Sequence, residues 1–375
     1  MHILWVPSWY PTPDFPLNGS FFKEQVQMLR RAGCKVGVCY LAVKSFWQKR
    51  DSLRIDTSDQ LFEKEIPTIP LGLLPGDALI IRKNALKLAK LYEEKWGKPD
   101  IIHAHSAFPG VIAAQAMANY WGVPYGVTEH RPSSLERSLK HPRGEYIKRA
   151  VCEANFRASV SAPFSELLAR KYGCDFSVIA LPVRDDFFKQ MNIYPESPRF
   201  LHISNLDSNK RTQETITAFA DVARELPDAH FDIVGGDQVR ITELKQHCES
   251  LGIEKAVTFL GQKPRAEISS VYLGHTAFIL ASALEAGGTV LAEAQCLGVP
   301  VIATQTFAGR FMVHPETGIN VPIDDWAALS SAMIEIAKNP DRFSPKRIQE
   351  IAYERFSEKT FTEESISLYE QALSA

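Results

Sequence analysis

The sequence predicts an α/β protein made of two doubly wound, parallel-sheet halves, and three observations carry that prediction. Short β-rich runs alternate with longer helical ones through most of the 375 residues, the pattern that strands joined by crossover helices produce. A chain of this length exceeds one comfortable hydrophobic core, so two domains are expected. Between the two series of runs, residues 185–198 hold two prolines and little periodicity, which reads as a linker.

In the first half the expected strands are residues 3–6, 35–41, 101–104, 125–127, 158–160 and 177–180, with helices between them. The helix over 20–32 is closed by Gly33, where a helix end calls for a left-handed residue. The second series places strands at 200–204, 230–234, 256–260, 277–281, 299–303 and 318–321, and helices at 211–226, 240–251 and 289–297. Domains are therefore expected at 1–190 and 199–355. A last helix at about 358–373, within the segment 356–375, is free to pack on either. Two such halves imply a cleft beyond the carboxyl ends of their strands, where open α/β sheets bind ligands.

Composition narrows the function. The 42 basic residues nearly balance 44 acidic ones, a formal charge of −2, so nucleic acid is not indicated as a partner. Six cysteines form no CxxC pair and no metal-like cluster with the ten histidines, which speaks against zinc or a disulfide framework and for a reducing cytoplasm. The N-terminus reads as a first strand, not a signal peptide. Residues 106–128 lack formal charge, but Pro109, Gln115, Asn119 and Pro124 interrupt them, so a buried helix and strand explain them better than a membrane span.

The most informative stretch is 281–294, in which Glu285 and Glu293 stand eight positions apart around the start of the helix at 289–297. A helix N-terminus attracts anions, and Gly287 and Gly288 let phosphates approach the backbone at Thr289 and Val290. Glu293 does not fit a capping box, because Thr289 is four residues before it instead of three. It lies a turn inside the helix among apolar neighbours, where a carboxylate is seldom placed without a partner. Paired hydroxyls, such as those of a ribose, would suit it.

Other strand ends add candidates. Gly19 opens the first helix and offers backbone N–H groups to an anion. His130, after the fourth strand, suits a hydrogen bond to a substrate oxygen or proton transfer near neutrality. His103 and His105 are read as facing opposite sides of their strand, so that at most one meets a ligand. Lys210, in the segment from Ser204 to Arg211, could neutralise a diphosphate leaving group. Gly235 and Gly261 mark turns that permit close approach, the latter beside a planar base. Residues 131–149 carry six Lys or Arg against two Glu, which suits a membrane surface or an anionic acceptor and equally a solvated face.

Taken together, the chain resembles the retaining, GT-B-fold glycosyltransferases called family 4, from Ile3 to about Tyr369. The most specific element is Glu285-x7-Glu293 followed by Ala294 and the segment Gly298 to Ile302; residues 100–105, 128–130, Gly19 and Lys210 support it. The resemblance implies two Rossmann-like domains facing a cleft, with the acceptor on the first and a nucleotide sugar of UDP or GDP type on the second. It implies that Glu293 binds the ribose, that Glu285 and the backbone from Gly287 to Val290 hold sugar and phosphates, and that Lys210 stabilises the leaving diphosphate. His130 would contact the transferred sugar, and no metal would be needed.

Two departures stand out. Asn205 occupies a position where relatives often carry arginine, leaving Arg211 as the nearest second cation. Gly287-Gly288 replaces Phe-Gly, which would widen the pocket beside the sugar. The implied activity is transfer of a sugar to an acceptor hydroxyl with retention, in polysaccharide or glycolipid synthesis, by a cytoplasmic protein with optional peripheral membrane contact. A nucleotide-sugar epimerase or phosphorylase on the same architecture, or a non-catalytic nucleotide-binding scaffold, are the alternatives.

Overall fold

The computed structural model describes residues 1–13, 15–16, 18–45, 53–68, 76–140 and 142–375. Two compact units emerge, one of residues 1–179 and 361–375, the other of residues 180–360.

In the first unit the strands are β1 (His2–Pro7), β2 (Lys35–Ser45), β3 (Leu53–Asp56), β4 (Leu61–Thr68), β5 (Ile101–His105), β6 (Tyr125–Glu129), β7 (Phe156–Ser159) and β8 (Ser177–Val178). They form one sheet in the order β3-β4-β2-β1-β5-β6-β7-β8, parallel except for the β3–β4 pair. Ile3, Leu4, Trp5 and Val6 of β1 are all fully buried, as a central strand covered on both faces requires. The helices are α1 (Ser20–Arg31), α2 (Gly76–Trp96), α3 (Ile112–Trp121), α4 (Pro142–Cys152) and α5 (Ala162–Tyr172). Helix α1 shows the 3.6-residue logic, with Phe22, Val26 and Leu29 buried on one stripe.

The pair β3 and β4 is not among the expected strands: β4 buries Leu61, Phe62 and Ile66, but β3 is only four residues long and leaves Leu53 and Ile55 exposed. Arg54 and Glu63 face each other across the two strands at 2.7 Å, and Asp56 accepts hydrogen bonds from Ser58 and Asp59 to form the turn. Such charged, paired residues are what an edge strand carries.

The second unit holds β9 (Arg199–Ile203), β10 (His230–Val234), β11 (Val257–Gly261), β12 (Ala277–Leu280), β13 (Val301–Thr304) and β14 (Gly318–Val321), all parallel, in the order β11-β10-β9-β12-β13-β14. Its helices are α6 (Thr212–Glu225), α7 (Gln238–Leu251), α8 (Ile268–Tyr272), α9 (Thr289–Cys296), α10 (Phe307–Met312), α11 (Trp326–Lys338) and α12 (Pro345–Phe356). Side chains alternate between two cores: Phe200, Ala277 and Ile279 enter one, Leu201, Phe278 and Leu280 the other. Each fully buried large side chain contributes about 1.5–3 kcal/mol.

The segment 185–198 is not a free linker. Phe187 is fully buried in the core that holds Leu201 and Tyr272. The Asn192 side chain donates to His275 O at 2.8 Å and accepts from Gly274 N at 2.8 Å, and Tyr194 donates to Phe343 O. Two aromatic anchors in a proline-containing stretch suffice to dock it without regular structure. The C-terminal helix α13 (Glu358–Ser374) places Phe361, Tyr369 and Ala372 among the core residues of the first unit, beside Ile3, Trp5 and Phe156.

Close approach of backbones governs the strand ends of the second sheet. Gly235 has φ +110°, and a Cβ there would lie 1.7 Å from Ser204 O. Neither chain can yield freely, because Ser204 N donates to Val234 O and Gly235 N to Gly261 O. Gly235→Ala should therefore destabilise the protein by about 3 kcal/mol or more. Gly252→Ala, at φ +70° with open space around it, should cost only about 1 kcal/mol. Calorimetric unfolding of both variants checks this, and equal losses would contradict the close approach.

Candidate functional site

The order of the second sheet reverses at β9, which has β10 on one side and β12 on the other. The chain therefore leaves these two strands in opposite directions, which opens a crevice at their carboxyl ends. Asn209 stitches the loop after β9 to the loop after β12: its carbonyl accepts from Ala283 N at 2.8 Å, and its side chain bonds the backbone of Leu284 at 2.9 and 3.0 Å. The next residue, Lys210, donates to Glu285 Oε2 at 2.6 Å, with both side chains about four-fifths buried. Glu285 O also accepts from Ala308 N at 2.9 Å.

Gly287 and Gly288 follow after Ala286 and are buried. Gly288 caps α9 with φ +60°, and a Cβ on it would come within 2.9 Å of Ala308. Thr289 and Val290 form the open first turn, whose N–H groups have no intrahelical acceptor. The crevice thus gathers one ammonium, one carboxylate and the positive end of a helix.

One turn into α9, Glu293 is only 2% exposed. Its Oε1 accepts from Arg265 at 2.5 Å and its Oε2 from the Tyr272 hydroxyl at 2.9 Å. Burial, then the charge of Glu293, holds the Tyr272 phenol well above its ordinary range, so it remains a donor. Arg265 and Tyr272 are absent from the sequence reading, although Arg265 lies only four residues beyond Gly261.

The other predicted positions of this unit take different parts. The exposed Asn205 side chain is engaged locally with Asp207, at 3.0 Å. Arg211 caps α6 and directs its guanidinium to Glu214 and Asp324, at 3.3 and 3.6 Å, so its charge is already matched. Gly261 ends β11 at φ +66° with open space about it. His202 is a residue no motif signalled. Its ring joins Ile279 O at 3.0 Å and Ser204 Oγ at 2.8 Å. Burial, aided by the Lys210 charge, lowers its pKa to about 4.

In the first unit, His130 follows β6 and meets His105, with 3.1 Å between Nε2 and Nδ1. Its own Nδ1 is buried and has no hydrogen-bond partner among the described residues. Glu129 organises this turn by accepting from the backbone N–H of Ala107, His130 and Arg131 at 2.8–2.9 Å. His103 and His105 lie on the same face of β5, their rings 4.1 Å apart. The opposite-face expectation fails because residues two apart in a strand share a side. His103 is bound by the Tyr369 hydroxyl at 2.7 Å and Thr128 Oγ1 at 2.8 Å. Gly19 caps α1 with φ +78°, and a Cβ there would touch Trp9 at 2.8 Å.

The basic segment 131–149, residue 141 of which lies outside the described residues, divides its charges. Arg143 pairs with Asp77 and Arg149 with Glu153. Lys171 Nζ ties the loop in place through the carbonyls of Ser134, Leu135 and Arg137. No helix among the described residues is long and apolar enough to cross a membrane.

Two family models match the chain. Residues 19–187 match "Glycosyltransferase Family 4" and residues 183–355 match "Glycosyl transferases group 1". The "Putative teichuronic acid biosynthesis glycosyltransferase TuaC" of Bacillus subtilis (strain 168) is 26% identical over 331 residues, 81% of each chain. The N-acetyl-alpha-D-glucosaminyl L-malate synthase of Bacillus anthracis is 28% identical over 188 residues, 49% of this chain and 48% of that one. Among solved structures, Anabaena HepE in complex with UDP superposes with TM-score 0.74 at 17% identity, covering 98% of this chain and 99% of that one. The lipopolysaccharide outer core galactosyltransferase WaaB gives TM-score 0.72 at 16% identity over 98% and 99%. Those two likenesses are of fold, and the fold is GT-B.

The buried histidines have a consequence for stability. Burial, then the charge of Arg131, holds His130 at a pKa of about 3, and burial keeps His103 and His105 well below 6.5. Folded-state values below the unfolded one mean that unfolding takes up protons in acid. Their contribution is complete above about pH 6.5 and fades as pH falls toward the folded values. His130 should cost about 1–2 kcal/mol at pH 5, and His103 and His105 act in the same direction. The thermal midpoint should drop between pH 7.5 and 5, and His105→Gln should take up about one proton fewer on unfolding. A flat midpoint over that range would refute the neutral assignment.

Proposed function

The chain belongs to the GT-B glycosyltransferases of the family 4 type, and on that footing we propose that its second unit binds a nucleotide-sugar donor for transfer to an acceptor hydroxyl with retained configuration. The observation that carries the reading is the Lys210–Glu285 pair at the reversal of the second sheet, beside the first turn of α9. An ammonium and a helix N-terminus together suit a diphosphate, and a carboxylate next to them suits sugar hydroxyls.

Lys210 balances the charge that develops on the leaving diphosphate, and the backbone from Gly287 to Val290 supplies neutral donors to the phosphates. Glu285 accepts from the sugar while keeping Lys210 in place. Glu293 accepts from the ribose. Because Arg265 occupies its Oε1, the diol must displace that guanidinium, which is 29% exposed and has solvent to enter. Gly235 and Gly261 let the chain pass close to the nucleotide, and Asn205 adds a polar rim. In the first unit, which takes the acceptor, Gly19 keeps its turn clear of a side chain. His130, neutral at pH 7 with an Nδ1 that has no partner among the described residues, offers a hydrogen bond to a sugar hydroxyl without adding charge.

In the transfer step the bond from the anomeric carbon to the diphosphate oxygen breaks, and the acceptor oxygen bonds to the same carbon on the face the diphosphate leaves. The acceptor proton passes to the departing phosphate oxygen, so the step needs no protein nucleophile. Lys210 does the work of a phosphate-neutralising cation, and the activity accordingly should not depend on a metal. The likeness to TuaC supports a place in polysaccharide synthesis.

Titration calorimetry with UDP-, GDP- and ADP-sugars should find one class that binds. Lys210→Ala should lower kcat about 100-fold with a smaller change in KM, the mark of an interaction made chiefly in the transition state. Glu293→Gln should weaken donor binding about tenfold, and EDTA should leave turnover intact. Unchanged kinetics in both variants would overturn the site assignment.

A further inference from the structure

Arg131 carries a charge that no ion pair among the described residues matches. It follows His130 at the end of β6, half-buried, with its guanidinium carbon 3.8 Å from the centre of the Trp9 ring. Unlike Arg143 and Arg149, it has no ion-pair partner among the described residues. The adjacent carboxylate, Glu129, is occupied by three backbone N–H groups. Burial lowers the pKa of Arg131, Glu129 works against that, and the charge of Arg137 lowers it again.

A partly desolvated cation with no direct ion pair, whose nearby carboxylate is already held by backbone N–H groups, is costly, and stacking on an indole offsets only about 0.5–2 kcal/mol of it. The stack is nonetheless rigidly supported. Trp9 packs on Phe22 at 5.0 Å and stands edge-on to His130 at 6.2 Å, and the absence of a side chain at Gly19 makes room for it. A guanidinium over a ring leaves the N–H donors of its rim for carboxylate or phosphate oxygens, which their fork fits. Two further buried polar atoms of the same turn, His130 Nδ1 and Ser134 Oγ, also have no partner among the described residues.

We propose that Arg131 is the anion-binding residue of the acceptor site on the first unit, so that the acceptor carries a carboxylate or phosphate beside its reacting hydroxyl. The word acceptor rests on the glycosyltransferase reading above; the anion site does not. The guanidinium orients the acceptor through its charge, and His130 Nδ1 and Ser134 Oγ add neutral hydrogen bonds.

The test uses matched probes on the full chain at constant ionic strength, with binding followed by NMR titration: D-glucuronate against D-glucose, and glycerol 3-phosphate against glycerol. The charged member of at least one pair should bind about tenfold or more tightly than its neutral twin, and the pair that responds tells carboxylate from phosphate. Arg131→Gln should bring the twins to equality. Arg131→Lys, which keeps the charge but loses the planar fork, should retain part of the preference. Arg149→Gln, which breaks only an exposed helix pair, should retain all of it. Equal binding within both pairs in the unaltered protein, or a preference that survives Arg131→Gln, overturns the inference. Nucleotide-sugar binding is measured on the same samples. If it persists without a charge preference, the acceptor inference alone falls; if it is absent, the donor reading falls.

Discussion

Strand β9 lies between β10 and β12 in a wholly parallel sheet, and this junction brings together the Lys210–Glu285 pair of the candidate donor site. Parallel strands send all their outgoing loops to one edge, and a reversal of order sends two of them apart. Lys210 on one loop and Glu285 on the other are 75 residues apart in the chain, yet they meet at 2.6 Å because Asn209 clamps the two loops together. The helix that follows then points its N-terminus into the same crevice. Were β12 moved to any other place in the sheet, the pair and the clamp would both be lost.

The two units treat their polar interiors differently. The second keeps charge at its crevice but matches it in place: Lys210 with Glu285, Arg265 with Glu293, Arg211 with Glu214 and Asp324. The first fills the end of its sheet with neutral rings, the histidines at 103, 105 and 130 packed among Trp5, Phe22 and Tyr369. Desolvation removes the protons that would otherwise sit there. Beside those rings the Glu129 carboxylate is taken up by three backbone N–H groups, and the Arg131 guanidinium over Trp9 forms no ion pair among the described residues, which is why its partner is sought outside the fold.

Much of the fold was legible in the residues. The apolar runs of the central strands, Gly33 after α1, and the glycines at the ends of β10 and β11 locate their elements to within a few residues, because buried strands and left-handed turns restrict composition locally. The hairpin at 53–68 was not legible, since its edge strand is four residues long, leaves Leu53 and Ile55 exposed, and gains its Arg54–Glu63 pair only once the strands meet. The docking of 185–198 was not either: a proline-containing stretch with buried Phe187 and Asn192 looks like a linker until its receiving surface exists. Of the site, the spacing of Glu285 and Glu293 and the glycines between them stood out, whereas Arg265, Tyr272 and His202 did not. Their roles follow from which strand lies beside which.

The sequence alone thus determined that this is a two-part α/β chain with an anion-attracting helix start flanked by two acids, because helix propensity, glycine and apolar period act over a few residues. Tertiary structure decided the partners. It assigned Lys210 to Glu285 and Arg265 to Glu293, turned Arg211 toward Glu214 and Asp324, kept the histidines neutral, and left Arg131 stacked, without an ion pair among the described residues. Pairing and desolvation depend on strand order and on packing from distant segments, and no local spacing encodes either.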